Sequence, residues 1–417
     1  MAAIEADDAA LLADMQQLIA WDTSFPPGAG YGAFAALIRN CLAGLGFEFR
    51  DVVVPEPLWR ARGAQGERIN LIAGRRSGRP VCSLYFHVDT APPGDGWTRP
   101  PLACTREGDR LYGRGAADMK GTIAAVLAAL RAASTSSVTL AYDPVLLLCT
   151  DEEGGLYPGI RYLAEQRLIE GHLLSFNGGA APRIWAGCFG SFDLLIRIGG
   201  RAAHSGEPER GINAIECAVP VLQALAGLKI AVEARQSALP PPPYRDGRKL
   251  TGQLTVAAIH GGEKGSAVPG QVELLVNRRY APEESFDRAL EELQATVREA
   301  AGATRATGVQ FELLGHLAPV SDPVGPHWPR WQAALSAGFG FALDSFRAWG
   351  ASSSSDMGWV QRAGVQEILL GGLGRPDNNV HAADEYTTMN DLKALARSVL
   401  AYLAADFASP LIPERSA

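Results

Sequence analysis

Cysteine is scarce in this chain, and paired cysteine motifs are missing. The 417 residues include six cysteines, and no two of them form a CxxC pair. Cysteines scattered through apolar segments are typical of buried thiols in a reducing compartment, so they predict no disulfide framework. We therefore expect a cytoplasmic protein.

A secretion signal and a long apolar run are also missing from the sequence pattern. The N-terminal segment carries Glu5, Asp7 and Asp8, whereas a signal peptide carries Lys or Arg in this region. We expect no apolar run to reach the length that a membrane-spanning helix requires. The expectation is that the protein has no membrane partner.

Basic residues are not in excess. Lys and Arg number 38 against 45 Asp and Glu, which gives a net charge of −7. This mild acidity argues against a nucleic-acid partner and favours a small polar ligand. With 47% hydrophobic residues, the chain is long enough for two domains or for one domain with a large insertion.

What the chain does contain is an alternation of short apolar runs and helical patterns. We predict strands at 70–73, 81–88 and 145–150, and a helix at 116–133. This alternation indicates an α/β fold. A second unit with the order β-α-β-β-α begins near Ser191, so the sequence predicts a catalytic domain that is interrupted by a lid.

An HxD sequence ends the second of these strands. Side chains two positions apart on a strand share a face, so Asp89 is expected to orient the imidazole of His87. On its own such a tripeptide is a weak indication of a metal site, because most matches are coincidental.

Carboxylates stand at two further element ends. Asp118 follows a glycine-containing segment at the start of the predicted helix, where the helix dipole alone would also favour an Asp. Asp151, Glu152 and Glu153 end an apolar strand, and adjacent acids repel one another unless water or a cation neutralises them. Because neighbouring side chains point in different directions, one acid can bind metal while the next acts as a general base.

Histidines complete the pattern. His381 follows an apolar run and a glycine-rich turn, and His204 lies in a segment of small residues. Each histidine by itself could equally be an exposed or capped residue.

Together these segments resemble the M20 metallopeptidase family, which includes acetylornithine deacetylase, succinyl-diaminopimelate desuccinylase and the glutamate carboxypeptidases. The resemblance extends over nearly the whole chain, including segments 200–206 and 211–215. It implies a zinc-peptidase-like α/β catalytic domain with a mixed central sheet at 1–190 and 313–417. It also implies a ferredoxin-like α+β lid at 191–312 that forms a homodimer.

The resemblance further implies the chemistry and the residues that perform it. The reaction would be hydrolysis of an amide bond in a small N-acyl amino acid or related carboxylate, with one or two Zn²⁺ per protomer and Co²⁺ or Mn²⁺ as alternatives. The implied metal ligands are His87, Asp118 as the bridge, Glu153, His381 and, at a position of doubt, Asn177. The implied catalytic residues are Glu152 as general base, Asp89 as support for His87, and His204 as the group that stabilises the oxyanion in the partner subunit. The implied substrate contacts are Arg279 as a carboxylate clamp, Asn213 and Gly374.

Two departures from the family pattern change these expectations. Asn177 stands nearest the position where the family has one more Asp or Glu, and an amide oxygen is a poorer zinc ligand than a carboxylate. The metal site at His87 is therefore expected to bind weakly or to stay empty. The Asn that the family places before Val-Pro in the lid is also absent, since Ala267 precedes Val268 and Pro269, so substrate contacts are expected to differ.

Two other functions stay open at this stage. An altered metal site could support a different acyl-transfer or condensation step in biosynthesis. Alternatively, the chain could be a binding or scaffold protein without catalysis. The presence of Glu152 beside Glu153 argues against a scaffold, because a binding protein needs no general base.

Overall fold

The computed structural model describes residues 1–61, 63–154 and 156–407. Gly155 and the polar end 409–417, for which the sequence predicts fraying, lie outside this range. The helices are α1 Ala2–Glu5, α2 Asp8–Ala20, α3 Tyr31–Cys41, α4 Glu56–Trp59, α5 Lys120–Thr135, α6 Gly159–Glu165, α7 Ala214–Glu233, α8 Phe286–Gly302, α9 Trp328–Phe339, α10 Met357–Arg362 and α11 Met389–Leu403. The strands are β1 Glu48–Val53, β2 Ile69–Gly74, β3 Val81–His87, β4 Thr105–Glu107, β5 Arg110–Tyr112, β6 Asp143–Cys149, β7 His172–Ser175, β8 Arg183–Cys188, β9 Gly190–Gly199, β10 Ala203–His204, β11 Gln253–Gly261, β12 Ala267–Val268, β13 Gln271–Tyr280, β14 Gly308–Leu317, β15 Val320–Ser321, β16 Arg347–Ala351, β17 Ile368–Leu370 and β18 Tyr386–Thr388.

The chain divides into two compact units. The first contains Met1–Trp185, Pro323–Ala348 and the described part of Trp359–Ala417, and the second contains Ala186–Asp322 and Trp349–Gly358. The segment Trp349–Gly358 thus belongs to the second unit, and the sequence pattern gave no sign of this.

A six-stranded mixed sheet forms the centre of the first unit. Its order is β1-β2-β6-β3-β7-β17. The pairs β6/β3, β3/β7 and β7/β17 are parallel, whereas β1/β2 and β2/β6 are antiparallel. Four parallel strands therefore end at the same edge of the sheet, which is where α/β folds usually bind their ligands.

Helix α5 is central to the core of the first unit and begins later than the sequence predicts. Its residues from Lys120 to Leu130 are all buried, together with Ala132 and Ala133. The predicted helix at 116–133 included Asp118, but α5 begins at Lys120 and Asp118 lies in the turn before it. Asp118 is therefore a loop residue rather than a residue of the first helical turn.

The second unit has a four-stranded antiparallel sheet in the order β11-β13-β9-β14. Its chain order β9-α7-β11-β13-α8-β14 is that of a ferredoxin-like α+β fold. Apolar residues of α7 and α8, such as Val221 and Leu293, share one buried cluster with strand residues such as Ile196 and Leu274.

One helix within the described ranges, Ala214–Glu233, is long and apolar enough to cross a membrane by length and composition, with a mean hydropathy of 1.7. The expectation that no segment reaches this length is therefore wrong. A single helix of this kind also occurs in the core of soluble proteins, and this one buries Val221 and Leu225 against the sheet of its unit.

Candidate metal centre

The candidate site of the first unit lies where its parallel strands end. His87 is the last residue of β3, and it is paired in register with Cys149, the last residue of β6. Glu152 and Glu153 follow β6 directly, and Asn177 follows β7 by two residues. The parallel arrangement thus brings segments that are distant in sequence to one edge of the sheet.

Asp118 lies between two histidines and presents one oxygen to each of them. Its Oδ1 lies 3.0 Å from His87 Nε2, and its Oδ2 lies 3.4 Å from His381 Nε2. His381 Nε2 also lies 2.8 Å from Glu153 Oε2. His87, Asp118 and Glu153 each offer a ligand atom, and these three atoms lie within 4.8 Å of one another.

The charges of this group are strongly coupled. Burial alone lowers the pKa of His87, but the hydrogen bond to Asp118 and the surrounding carboxylates outweigh it and raise that pKa well above the usual value. Hydrogen bonds to Asp118 and Glu153 raise the pKa of His381 to about 10. Burial opposes ionisation of Asp118, yet hydrogen bonds from His381 and His87 lower its pKa. Without a cation, the carboxylates therefore hold protons on both histidines.

The donor set fits a divalent cation. Imidazole nitrogen and carboxylate oxygen are the ligands of zinc centres in proteins. His87 Nδ1 donates to the Asp89 backbone carbonyl at 3.0 Å, so Nε2 is the nitrogen that faces Asp118 and that a metal would use. A bound cation would take the place of the histidine protons, because metal ligands must be deprotonated.

Asp89 supports the site in a different way from the one the HxD pattern suggests. Its carboxylate Oδ1 lies 3.8 Å from His87 Nδ1, whereas its backbone carbonyl makes the closer contact. Its other oxygen, Oδ2, accepts a hydrogen bond from the Glu153 backbone at 2.9 Å. Burial and the neighbouring acids Asp151 and Glu153 raise the pKa of Asp89 to about 7, although His87 opposes this. The Asp89 carboxylate therefore anchors the segment that carries the paired glutamates.

Glu152 and Asn177 are direct neighbours. Asn177 Nδ2 donates to Glu152 Oε1 at 2.9 Å. Both side chains are partly exposed, and Glu152 precedes the ligand candidate Glu153. A carboxylate beside a group of metal donors can accept a proton from a water molecule that attacks a bound substrate.

Glu385 is a buried residue of the site that the sequence analysis did not identify. Its carboxylate accepts hydrogen bonds from the backbone of Gly115, Ala117 and Asp118 at 2.9 to 3.1 Å, and it pairs with Arg114 at 2.6 Å. It thereby fixes the loop that carries Asp118. Glu385 and Arg114 are 271 positions apart, and a single sequence contains no signal that would pair them.

A second buried ion pair fixes the turn before the paired glutamates. Arg68 Nε donates to Asp151 Oδ2 at 2.6 Å, and Tyr31 Oη donates to Asp151 Oδ1 at 2.8 Å. Asp151 has a φ of 61°, which is uncommon for a residue with a side chain and is typical of constrained turns. The sequence indicates no partner for Asp151, and Arg68 directly precedes β2, a strand that carries no motif.

Gly374 lies beside the segment that follows Asn177. Its backbone N–H donates to Gly178 at 3.1 Å, and its carbonyl accepts from Ala180 at 3.0 Å. A Cβ on Gly179 would lie 2.8 Å from the Gly374 carbonyl oxygen, so these two segments require glycine to approach so closely.

The other candidate residues belong to the second unit. His204 is exposed in β10, and its Nδ1 accepts a hydrogen bond from Gly206 at 3.0 Å. Asn213 caps α7, because its side chain accepts from Ile215 N. Arg279 donates to Ser352 O and Ser354 Oγ at 3.3 and 3.2 Å. The roles that the sequence predicts for these three side chains toward a substrate stay predictions.

Comparison with known proteins agrees with this architecture. The peptidase family M20/M25/M40 matches residues 83–405. The chain is 30% identical over 345 residues to succinyl-diaminopimelate desuccinylase of Xylella fastidiosa strain M12, covering 79% of this chain and 84% of that protein.

Solved structures show the same fold. The dipeptidase Dug1p of Saccharomyces cerevisiae is 16% identical and covers 96% of both chains with a TM-score of 0.78. The YXEP protein of Bacillus subtilis, described as a dinuclear metal-binding peptidase, is 14% identical with a TM-score of 0.59, covering 95% of this chain and 98% of that one. With its matching family region, its mixed sheet and its cluster of histidines and carboxylates at the sheet edge, the chain belongs to the peptidase family M20/M25/M40.

Proposed function

We propose that this protein is a metal-dependent hydrolase that cleaves the amide bond of a small N-acyl amino acid or a related carboxylate. The observation that carries this proposal is the position of Glu152, next to a cluster of donors that suits a divalent cation. The desuccinylase from Xylella fastidiosa supports the choice of substrate class.

The chain's own residues supply a general base and the donors. A divalent cation in the site would polarise the scissile carbonyl and make a water molecule more acidic. Glu152 accepts the proton of the attacking water and passes it to the leaving amine. Asp118, Glu153, His87 and His381 would hold the cation, and Glu385 keeps the Asp118 loop in place.

Zn²⁺ is the cation we propose, with Co²⁺ or Mn²⁺ as substitutes. The nitrogen and oxygen donors of this cluster support zinc, because imidazole binds it well and Mg²⁺ or Ca²⁺ prefer oxygen ligands alone. The six cysteines, which are free thiols in the structure, support a cytoplasmic protein.

The test of the reaction is hydrolysis of defined substrates by metal-loaded protein. Purified protein is stripped with a chelator, reloaded with Zn²⁺, and offered a panel of N-succinyl, N-acetyl and dipeptide amides. Release of free amine by the loaded protein, and its loss in the stripped protein, is the expected result. No amine release from any member of the panel, with metal bound, contradicts the proposal.

We also propose that the protein is a homodimer formed through its second unit, with His204 acting at the partner's active site. Helix α7 supports this, because it exposes the apolar residues Val219 and Ile230 at 48% and 73% of their surface.

Mixing two inactive variants tests the shared site. His204→Ala and Glu152→Gln protomers are combined under conditions in which tagged subunits are shown to exchange. Partial return of activity is expected, since one hybrid site then has both side chains. Complete exchange without activity contradicts the shared site.

A further inference from the structure

The contact between Asn177 and Glu152 determines which way the Asn177 amide points. An ionised carboxylate only accepts hydrogen bonds, so the 2.9 Å contact places the NH₂ group of Asn177 against Glu152 Oε1. The nitrogen of an amide has no lone pair available for a metal, so only the neutral Oδ1 of Asn177 could bind one, and a neutral amide oxygen is a poorer zinc ligand than a carboxylate. Asn177 therefore meets Glu152 as a hydrogen-bond donor in this arrangement.

The same position would behave differently with a carboxylate. An Asp has the same shape as Asn, and it would bring a second negative oxygen to the place where Nδ2 now lies, next to Glu152. Two carboxylates at such a distance repel one another unless a proton or a cation lies between them. With Asn177 at this position, no proton or cation is required between the two side chains, because the N–H group of Asn177 donates a hydrogen bond to the Glu152 carboxylate.

The charge of the donor cluster also favours one bound cation over two. Among the described residues, the donors that lie together are two histidines and two carboxylates, Asp118 and Glu153. Two carboxylates balance the charge of one divalent ion, and the third acid of the site, Glu152, already accepts a hydrogen bond from the Asn177 amide. Two divalent ions would have to share them, which would leave uncompensated positive charge in a partly buried site.

We propose that Asn177 is a positioning residue for Glu152 and that the centre binds a single divalent cation. The ligands of this cation would be Asp118 and the donors grouped around it. This inference concerns metal content and the orientation of the base, and its catalytic part rests on the proposed function.

Metal content tests the first part without any activity measurement. Wild type, Asn177→Ala and Asn177→Asp are stripped, equilibrated with buffered Zn²⁺ and analysed for metal per protomer, with a Co²⁺ absorption titration of each in parallel. Peptide mapping confirms that Asn177, which precedes Gly178, keeps its amide.

The expected result differs among the three proteins. Wild type and Asn177→Ala bind one ion with affinities within about threefold of each other, because Asn177 is not a ligand. Asn177→Asp gains a second ion, bound at least about tenfold more tightly than any second ion in wild type, because it adds a charged oxygen ligand. Metal-free Asn177→Asp should also melt below metal-free wild type, since two carboxylates then face each other.

Steady-state kinetics test the second part of the proposal, the role of Asn177 in positioning Glu152. Asn177→Ala should lower kcat about tenfold or more while KM changes less than about threefold, because Glu152 loses the hydrogen bond from Asn177 and the substrate contacts stay in place. Equal loss of metal and activity in this variant would instead mark Asn177 as a ligand and overturn the proposal.

Other outcomes are equally decisive. Two ions of similar affinity in wild type overturn the single-ion centre, and an unchanged metal content in a folded Asn177→Asp shows that the position does not face the metal. If wild type binds one ion as expected but cleaves no amide, the proposed function fails while the single-ion inference stands.

Discussion

Arg68 and Asp151 form a fully buried ion pair, with Nε 2.6 Å from Oδ2, directly before the paired glutamates of the site. The guanidinium also donates to the Gly28 carbonyl at 3.1 Å and lies 4.1 Å from the Trp59 ring centroid. The pair holds Asp151 in its left-handed conformation and so fixes the direction in which Glu152 and Glu153 leave strand β6.

We predict that Arg68→Met destabilises the fold by about 3 to 5 kcal/mol, because it leaves Asp151 buried without its cation. Urea denaturation followed by circular dichroism measures this. The matched control is Arg76→Met, which breaks an exposed pair with Glu170 and should cost less than about 1 kcal/mol. Equal effects of the two substitutions would contradict the structural role of Arg68.

Glu152→Gln should lower kcat about 10²-fold to 10⁴-fold or more, because an amide cannot accept the proton of the attacking water. Metal content and melting temperature should stay those of wild type. Glu56→Gln, which changes an exposed glutamate on α4, serves as the control and should retain full activity. Retention of more than about a tenth of the wild-type kcat would remove Glu152 from this role.

Glu385→Gln should weaken metal binding by about 10-fold to 100-fold while the protein stays folded. The new NH₂ group would face backbone N–H donors of the Asp118 loop, so one of the present hydrogen bonds becomes a repulsive contact. Isothermal titration with Zn²⁺ measures the affinity. Glu107→Gln, at an exposed pair with Arg99, is the control that should leave it unchanged.

The stability of the fold should fall in mild acid because of His172. Burial, and then the nearby His327, lower the pKa of His172 to about 4, against 6.5 for a free histidine. Above about pH 6.5 the ring is neutral in both states and contributes nothing. As the pH falls toward about 4, the unfolded state takes up a proton first, and the folded state loses up to about 3 kcal/mol.

His172→Gln isolates this effect, because it removes the titrating ring and keeps an acceptor for the Tyr402 hydroxyl, which lies 2.5 Å from His172 Nε2. The unfolding free energy of wild type should fall more steeply than that of the variant between about pH 7.5 and pH 4.5. Parallel curves for the two proteins would show that His172 does not titrate in this way.

Sequence patterns were sufficient for those parts of the site that depend on strand ends. His87 and Glu153 follow apolar runs, and parallel strands bring such ends together. The position of Asp118 was harder to predict from the sequence, because the helix pattern continues through residues that form a turn before α5. Local periodicity does not distinguish this turn from helix, since Ala116 and Ala117 continue the small apolar pattern of the helix up to Asp118.

The buried residues that fix the loops of the site could not be predicted from the sequence, and the reason is physical. Arg68 and Glu385 act through partners 83 and 271 positions away, and their side chains are of types that usually lie on the surface. The orientation of Asn177 toward Glu152 is likewise a property of the folded chain, because it depends on where β7 ends relative to β6, from which β3 separates it in the sheet.

The hold of Glu385 on the Asp118 loop has a consequence for synthesis on the ribosome. His87, Asp118 and Glu153 are made before the second unit, whereas His381 and Glu385 are made after it. The four-stranded sheet of the second unit, by contrast, uses strands only from Gly190–Gly199 to Gly308–Leu317 and can form before the site is complete. A nascent chain that ends before residue 381 therefore lacks both the His381 donor and the Glu385 contacts that fix the Asp118 loop, so the group of donors is complete only once residues 381–385 have been made.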